Sequence, residues 1–216
     1  MFFLSYEEYK TVCYIWLTLA IIVFLILIFV KAPYGRYKTK GWGVEISAKK
    51  GWIIMESIPA VLLTVILAIG HNRDLVVLFF WAIWTGHYVN RAWAWPNRAK
   101  LEQKLMPLSV VILAVIFNTV NCLINGIWLF DLSEGYELSW LTDPRFIFGV
   151  VIFFLGMILN IKSDDILFSL RDDGSTGYKI PRGGLFEKVS SPNYLGEIIE
   201  WIGFAIATWS LAGFTF

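Results

Sequence analysis

The chain consists of long apolar runs separated by charged segments. Six of these runs are long enough to cross a hydrocarbon core of about 30 Å as helices. They occupy residues 12–30, 51–70, 75–95, 106–129, 146–161 and 194–216. This pattern predicts an all-α, polytopic bundle of transmembrane helices with six visible spans.

The basic residues are distributed unevenly among the loops. All but three of the 18 Lys and Arg residues lie in the loops after the first, third and fifth runs or, for Arg91, near the end of the third run; the exceptions are Lys10, Arg73 and Arg145. Since cytoplasmic loops carry the excess of Lys and Arg, we expect the N-terminus to lie outside or in the lumen. A bacterial inner membrane and an endoplasmic reticulum membrane fit this rule equally well.

The composition agrees with a multi-pass membrane protein. Hydrophobic side chains make up 57% of the 216 residues and charged side chains 16%, as in proteins that fold in a bilayer. The first run is preceded by Glu7 and Glu8 and is longer than a signal-peptide core, so we expect a retained helix. No internal repeat or linker divides residues 1–216, which predicts a single domain.

The same composition argues against two classes of partner. A net charge of +1 without a basic tract gives no reason to expect nucleic acid. The two cysteines, Cys13 and Cys122, lie in apolar runs, and His71 and His87 are the only histidines. These residues form neither a zinc-binding pattern nor a disulfide framework, so we expect no metal.

Two polar side chains in the second and third runs are candidates for catalysis. Glu56 lies within the segment GWIIMESIPAVLL, and Tyr88 shares a stripe at helical spacing with Trp84, Arg91 and Trp95. A structural hydrogen bond for Glu56 and ordinary packing for Tyr88 are the alternatives. If the two side chains meet, the Tyr88 hydroxyl can donate a hydrogen bond to a substrate carbonyl and stabilise the oxyanion that develops there.

The fourth run carries a polar stripe in the segment FNTVNCLINGIW. Asn118, Asn121 and Asn125 are spaced by three and four residues, so they share one helix face. Hydrogen bonding between helices explains many such stripes. Together with Glu56 and Tyr88, this stripe favours a lined cavity.

The sixth run carries a second polar stripe, formed by Asn193, Glu197 and Glu200. A charged side chain inside a membrane helix costs about 2.5 to 3.5 kcal/mol on insertion scales and rarely faces lipid. We therefore expect this face to meet a polar partner. Upstream, Asp164 and Asp165 lie where the fifth span is expected to leave the membrane.

The sequence contains no glycine-rich nucleotide-binding motif after a strand and no βαβ pattern. A soluble nucleotide-binding domain is therefore excluded. A dinucleotide would have to bind among the helices, with arginines for its phosphates and with amides and carboxylates for its ribose and carboxamide groups.

Two neighbouring segments, NIKSDDILFSLR and GYKIPRGGLFEKVSSPNYLGEIIEW, closely resemble the signature region of the steroid 5-alpha-reductase family. Members of this family are membrane enzymes that reduce a 3-oxo-Δ4 double bond with NADPH. The resemblance covers about fifty contiguous residues. It implies a seven-span fold, a lipophilic steroid or enone substrate, and NADPH entering from the cytoplasmic side.

The resemblance also assigns roles to individual residues. It implies that Glu56 and Tyr88 polarise the C3 carbonyl of the substrate while hydride arrives at C5. It implies that the cofactor is held by Asn160, Asp164, Arg171, Tyr178, Asn193 and Glu197, with Glu200 in the same network and Arg91, Asn97 and Arg98 as weaker matches.

The chain departs from the family pattern at two places. Steroid-reducing members have Gln before the Glu of the second span, whereas this chain has Met55. Family members also continue into a seventh span with a His, a Tyr and a basic tail, whereas this chain ends at Phe216. We therefore expect either a truncated or shortened, bacterial-type member or a cofactor site that is closed in another way.

The expected function is NADPH-dependent 5-alpha reduction of a 3-oxo-Δ4-steroid, with hydride transfer inside the membrane. A trans-2-enoyl thioester or polyprenol reductase is the alternative within the same enzyme class. A lipid-binding or transport protein is the remote alternative from another class.

Overall fold

The computed structural model describes residues 4–31, 41–171 and 179–216. The described chain is mainly helical, which confirms the predicted α-helical membrane fold in outline. Its α-helices are α1 (Tyr6–Phe29), α2 (Ala48–Ile69), α3 (Leu75–Val89), α4 (Trp95–Arg98), α5 (Leu108–Ile127), α6 (Pro144–Ser169), α7 (Pro192–Thr208) and α8 (Leu211–Phe214). Two π-helical turns, Asn90–Ala94 and Trp128–Leu132, continue α3 and α5, and the short 3₁₀ helices are Leu138–Thr142 and Gly184–Glu187.

A two-stranded antiparallel sheet is the one departure from an all-α fold among the described residues. Its strands are β1 (Glu45–Ser47) and β2 (Leu105–Pro107), with Glu45 opposite Pro107. Each strand leads directly into a helix, so the sheet joins the starts of α2 and α5. Three-residue strands about sixty positions apart have no recognisable sequence period, which is why the pattern did not predict them.

Four helices in the described residues are long and apolar enough to cross a membrane: α1, α2, α5 with the π-helical turn that follows it, and α6. The regions predicted as third and sixth spans contain the shorter helices α3, with 15 residues, and α7, with 17. The six-span topology and the orientation of the N-terminus remain predictions.

Three helix ends differ from the predicted ones for local reasons. Helix α1 begins at Tyr6 because Ser5 caps it in a capping box with Glu8, so the acidic residues belong to its first turn. Helix α6 continues past residue 161 to Ser169 and includes both aspartates expected outside the span. The predicted continuous helix over 194–216 is wrong, because α7 ends at Thr208 and the next residue, Trp209, has a left-handed conformation with φ +45°.

The described chain separates into two compact units. The first contains the described residues within Met1–Asn97, Leu101–Glu137 and Thr215, and the second contains Arg98–Lys100, Leu138–Phe214 and Phe216. Candidate site residues occur in both units. The single-domain assignment remains a prediction.

The first unit is built around the parallel pair α2 and α5. The Asn118 amide donates to the backbone O of Met55 at 2.7 Å, and the Cys122 thiol lies 3.6 Å from the backbone O of Pro59. Helix α1 joins this pair through the Tyr9 hydroxyl, which donates to the backbone O of Ile124 at 2.9 Å. Most of the remaining surface of α1 is exposed and apolar, as expected for a lipid-facing helix.

The second unit is built on the close approach of α6 and α7. A Cβ atom added to Gly156 would lie 2.3 Å from the backbone N of Glu200, and one added to Gly196 would lie 2.5 Å from the backbone N of Asn160. Gly149 and Gly203 make equally close approaches. These glycines allow the two backbones to touch, as small residues do between membrane helices.

Candidate functional site

Glu56 lies one helical turn after Trp52 on α2, and both side chains are half-buried. The Trp52 ring lies 4.7 Å from the ring of Trp95, measured between centroids. This contact joins the start of α2 to the α3 region, by which we mean α3, the π-helical turn that follows it and α4. Because side chains four residues apart share a helix face, Glu56 lies on the side of α2 that faces the α3 region, one turn deeper than Trp52.

Tyr88 is buried near the end of α3, with 3% of its surface exposed. Its ring packs against Trp84 of the preceding turn, with the centroids 5.5 Å apart. It also makes an edge contact with His87 at 5.0 Å. The predicted stripe therefore exists, and aromatic neighbours hold the ring of Tyr88 in a largely water-excluded place.

Arg91 lies in the π-helical turn that follows α3 and is also buried. Its guanidinium carbon lies 5.2 Å from the centroid of the Trp52 ring and 5.2 Å from that of Trp95. These distances are typical of cation–π contacts. Two indole rings thus hold a buried cation on the segment that carries Tyr88, and π-helical turns occur frequently at functional sites.

The asparagine stripe on α5 serves mainly to bond the helices to each other and to itself. Asn118 donates to α2, as described above, and the Asn125 amide donates to the backbone O and to Oδ1 of Asn121, at 3.1 and 3.2 Å. All three side chains are buried. The structural alternative therefore accounts for two of the three residues that were expected to line a cavity.

The second group of candidates meets between α6 and α7. The Asn160 amide donates to the backbone O of Asn193 at 3.0 Å and to Oε1 of Glu197 at 3.3 Å. The Asn193 amide donates to Oδ1 of Asp164 at 3.4 Å. The structure thus brings together four of the residues assigned from the resemblance. Helix spacing on α7 and a longer α6 than expected are the reasons that they meet.

Glu200 lies on the same face of α7, one turn after Glu197, and has no exposed surface. Its backbone N is the atom of α7 that a Cβ on Gly156 of α6 would approach to 2.3 Å. The next residue, Trp201, packs its ring 3.9 Å from that of Phe216 and edge-on to Phe153 and Phe204. Glu200 is therefore fully buried where the backbones of α6 and α7 touch, one turn along α7 from the Glu197 that Asn160 bonds.

A basic group surrounds the end of α6. Arg98 forms an ion pair with Asp165 and lies 4.8 Å from the ring of Phe168, while Arg171 donates to the backbone O of Ala99 at 3.1 Å. Lys100 donates to the backbone O of Arg171 at 2.9 Å, and it has a positive φ of 50°, which is uncommon for a residue other than glycine.

Sequence reasoning missed Lys100 as a member of this basic group. Residues 98–100 show no periodicity that would place them beside α6. Only the contacts of this segment with the end of α6 show that Arg98, Lys100 and Arg171 lie together. Asn97, in contrast, is exposed and donates to the backbone O of Trp93 in the first unit. Tyr178 lies outside the described residues.

Comparison with known proteins identifies the family. Residues 104–216 match the family model described as 3-oxo-5-alpha-steroid 4-dehydrogenase. The chain is 37% identical over 209 residues to 3-oxo-5-alpha-steroid 4-dehydrogenase 1 of Bos taurus, which covers 94% of this chain and 80% of the relative. This chain belongs to the 3-oxo-5-alpha-steroid 4-dehydrogenase family.

Plant members of the family are similar over the same extent. The chain is 40% identical over 211 residues to the steroid 5-alpha-reductase DET2 of Gossypium hirsutum, covering 94% of this chain and 81% of the relative. It is 38% identical over 199 residues to the corresponding protein of Arabidopsis thaliana, covering 89% and 76%. The predicted resemblance is therefore confirmed, and it extends well beyond the signature region.

Met55, where the sequence departs from the expected family pattern, lies in the interior of the first unit. Its side chain is buried, and its backbone O accepts the hydrogen bond from Asn118. The residue that departs from the family pattern thus faces α5 in the interior of the first unit, next to Glu56.

The described residues contain no cluster of three or more His, Cys, Asp or Glu side chains that could hold a metal ion.

Proposed function

We propose that this protein is an NADPH-dependent oxidoreductase that reduces the conjugated C=C bond of a 3-oxo-Δ4-steroid within the membrane. The observation that carries the proposal is its family membership, with relatives named for this activity matching more than nine-tenths of the chain. The positions of Glu56 and Tyr88 support it. Tyr88 is buried on α3 among aromatic rings, and Glu56 lies on the face of α2 that meets the α3 region.

Tyr88 would act on the substrate carbonyl. Reduction delivers hydride to the β-carbon of the enone, and negative charge then develops on the carbonyl oxygen. A buried hydroxyl donating to that oxygen stabilises the developing charge more strongly than water does, because the surroundings have a low dielectric constant. Glu56 would orient the hydroxyl, and the α-carbon would take its proton from solvent or a nearby group.

The α6–α7 group has the donor set that a nicotinamide dinucleotide requires. The amides of Asn160 and Asn193 and the carboxylates of Asp164 and Glu197 suit ribose hydroxyls and a carboxamide. Arg98 and Arg171 suit phosphates, and the additional basic residue Lys100 favours NADPH over NADH. When bound, the cofactor supplies the hydride.

We further propose that the protein is a single reductase domain with six spans in this sequence and an outside or lumenal N-terminus. The asymmetric distribution of Lys and Arg supports this orientation. It gives NADPH access from the cytoplasmic side, where the loop after the fifth run lies. A bacterial inner membrane or the endoplasmic reticulum would contain the protein.

The experiment that tests this function is NADPH oxidation by the purified protein, followed by nicotinamide absorbance with testosterone or progesterone as substrate. Tyr88→Phe should bind NADPH and steroid as the wild type does but lose about 10² to 10⁴ in kcat, the usual contribution of a general acid. Nearly normal turnover by this variant would contradict the role of Tyr88.

The same assay distinguishes the alternatives. Reduction of a trans-2-enoyl thioester or a polyprenol, without reduction of either steroid, would assign the enzyme to the other substrate class. The reason to test the thioester and the polyprenol is that this chain has Met55 where steroid-reducing members have Gln. Absence of nicotinamide binding and turnover would favour the lipid-binding or transport alternative.

A further inference from the structure

Asn121 and Trp16 each carry a buried N–H group that has no acceptor among the described residues. One is Nδ2 of Asn121 on α5, a residue with no exposed surface, and the other is the indole Nε1 of Trp16 on α1. A buried donor without an acceptor is unfavourable, because it has lost its hydrogen bonds to water and has gained none in the protein. Groups of this kind therefore need an explanation, and a ligand is one.

Trp16 lies at the interface between α1 and α5, and the spacing of Phe117, Asn121 and Ile124 by four and three residues places Asn121 on the face of α5 that meets α1. The Trp16 ring stacks on Phe117 at 5.6 Å, and the Tyr9 hydroxyl bonds the backbone O of Ile124. The two helices therefore run antiparallel, with Asn121 between these two contacts. Tyr9, Cys13 and Trp16 share the face of α1 that turns toward α5.

The orientation of the Asn121 amide is set by its neighbour on the helix. The Asn125 amide donates to Oδ1 of Asn121, so the Asn121 oxygen is already engaged. Its NH₂ group then points away from Asn125. Asn118, the third member of the stripe, bonds to α2, so the free amide hydrogens of Asn121 distinguish it from both neighbours.

Asn121 lies at nearly the same depth as Glu56 of the proposed catalytic pair. Since α2 and α5 run parallel, with Met55 beside Asn118 and Pro59 beside Cys122, Glu56 and Asn121 differ by two residues in level. At 1.5 Å per residue this is about 3 Å along the helix axes. A lipophilic molecule held near Glu56 therefore lies between the level of Asn121 and that of Phe117, on which Trp16 stacks.

Donors without acceptors fit a carbonyl oxygen better than a water molecule. A carbonyl oxygen accepts two hydrogen bonds and has no hydrogen of its own, whereas a buried water needs acceptors as well as donors. Nearby side chains of the interface include Cys13 and Phe117, which offer a water little further bonding.

We propose that Asn121 and Trp16 bind a second carbonyl oxygen of the substrate, separate from the enone carbonyl assigned to Tyr88. This inference rests on the proposed function, and it makes the two residues determinants of substrate specificity. A 3-oxo-Δ4-steroid with one further ketone should bind more tightly than the same skeleton with a methylene group at that position.

The test compares tritium-labelled 4-androsten-3-one with diketones of the same skeleton that carry the second oxygen at C11 or C17. Equilibrium binding to the purified protein gives Kd, and turnover with NADPH gives KM. The wild type should bind at least one diketone about tenfold more tightly than the monoketone. Asn121→Leu and Trp16→Phe should each remove most of this difference and leave the Kd of the monoketone unchanged.

Asn118→Leu is the matched control, because it removes a buried amide from the same stripe that already has its acceptor. It should lower stability without changing the discrimination. Asn121→Asp keeps the oxygen that Asn125 bonds and removes the donor, so it should behave as Asn121→Leu does if the fold is retained.

Equal affinity of the wild type for every compound would overturn the inference. It would also be overturned if Asn121→Leu and Trp16→Phe changed the affinities for the monoketone and the diketones by the same factor. Binding is measured without turnover, so it remains informative if no enone is reduced. Discrimination in binding without reduction would contradict the proposed function and support the carbonyl site. Reduction of the steroids without any difference in affinity between them would support the proposed function and contradict the carbonyl site.

Discussion

Gly156 of α6 and Glu200 of α7 touch through their backbones: a Cβ atom on Gly156 would lie 2.3 Å from the backbone N of Glu200. One turn further along α6, Asn160 reaches across to the backbone O of Asn193 and to Glu197. These hydrogen bonds require the two helices to be this close. The packing of glycines thus determines whether the proposed cofactor residues can meet.

Gly156→Val should force α6 and α7 apart, because the backbone of α7 occupies the space that the side chain needs. We expect a lower thermal midpoint in detergent and at least tenfold weaker NADPH binding, measured by equilibrium titration. Gly86→Ala is the control, since a Cβ at Gly86 meets nothing within 4 Å. Alanine is the better helix former, so the control should be neutral or slightly stabilising. An unchanged NADPH affinity in the valine variant would show that the close approach is unimportant.

Asn160→Leu should destabilise the second unit and weaken cofactor binding. The variant leaves the backbone O of Asn193 and the Glu197 carboxylate without their shared donor, at a cost of about 1–3 kcal/mol. Unfolding in denaturant and NADPH titration measure the two effects. Ser169→Ala, which removes an exposed hydrogen bond at the end of the same helix, should change neither quantity measurably. Equal behaviour of the two variants would contradict the importance of the network.

Arg91→Lys should disturb the tryptophan pair although the charge is retained. A lysine ammonium lacks the planar surface that stacks on the rings of Trp52 and Trp95, so we expect a loss of about 0.5–2 kcal/mol in stability and a changed near-UV circular dichroism spectrum. Arg73→Lys, at an exposed arginine that bonds backbone oxygens, should leave the spectrum unchanged. Retention of the wild-type spectrum in Arg91→Lys would show that the guanidinium is not part of the pair.

Asp143, which caps α6, should make stability depend on acid pH. The Arg145 guanidinium donates two hydrogen bonds to the carboxylate, and with the backbone N–H of Arg145 it lowers the pKa of Asp143 from 3.8 to about 2. Because the pKa of the folded state is the lower one, the stabilising contribution is present above about pH 4 and is lost as the pH falls toward 2.

Asp143→Asn tests this pH dependence. Asparagine retains the cap of α6 but has no charge, so the thermal midpoint of the variant should fall less than that of the wild type between pH 5 and pH 2. If the thermal midpoints of the two proteins fell equally between pH 5 and pH 2, the Asp143–Arg145 ion pair would be excluded as a cause of acid sensitivity.

The sequence by itself determined the membrane class, most of the helices and the family. Apolar runs of bilayer length can only be helices or barrel strands in lipid, because backbone groups must be satisfied within the segment. The helical spacing of Asn193, Glu197 and Glu200 also sufficed to predict a shared face. Local capping by Ser5 and the left-handed residue Trp209 determine helix ends more finely than hydrophobicity does.

Only the tertiary structure decided which polar side chains hydrogen-bond to other parts of the protein and which have a donor available for a ligand. Asn118, Asn121 and Asn125 are the same residue type on one face, yet Asn121 alone among them has an amide without an acceptor in the described residues. Likewise, only the fold brings Lys100 to the end of α6 and the β1 strand beside β2. Such contacts join segments tens of residues apart, and hydrophobic periodicity describes only the face that a residue occupies, not the group that it meets there.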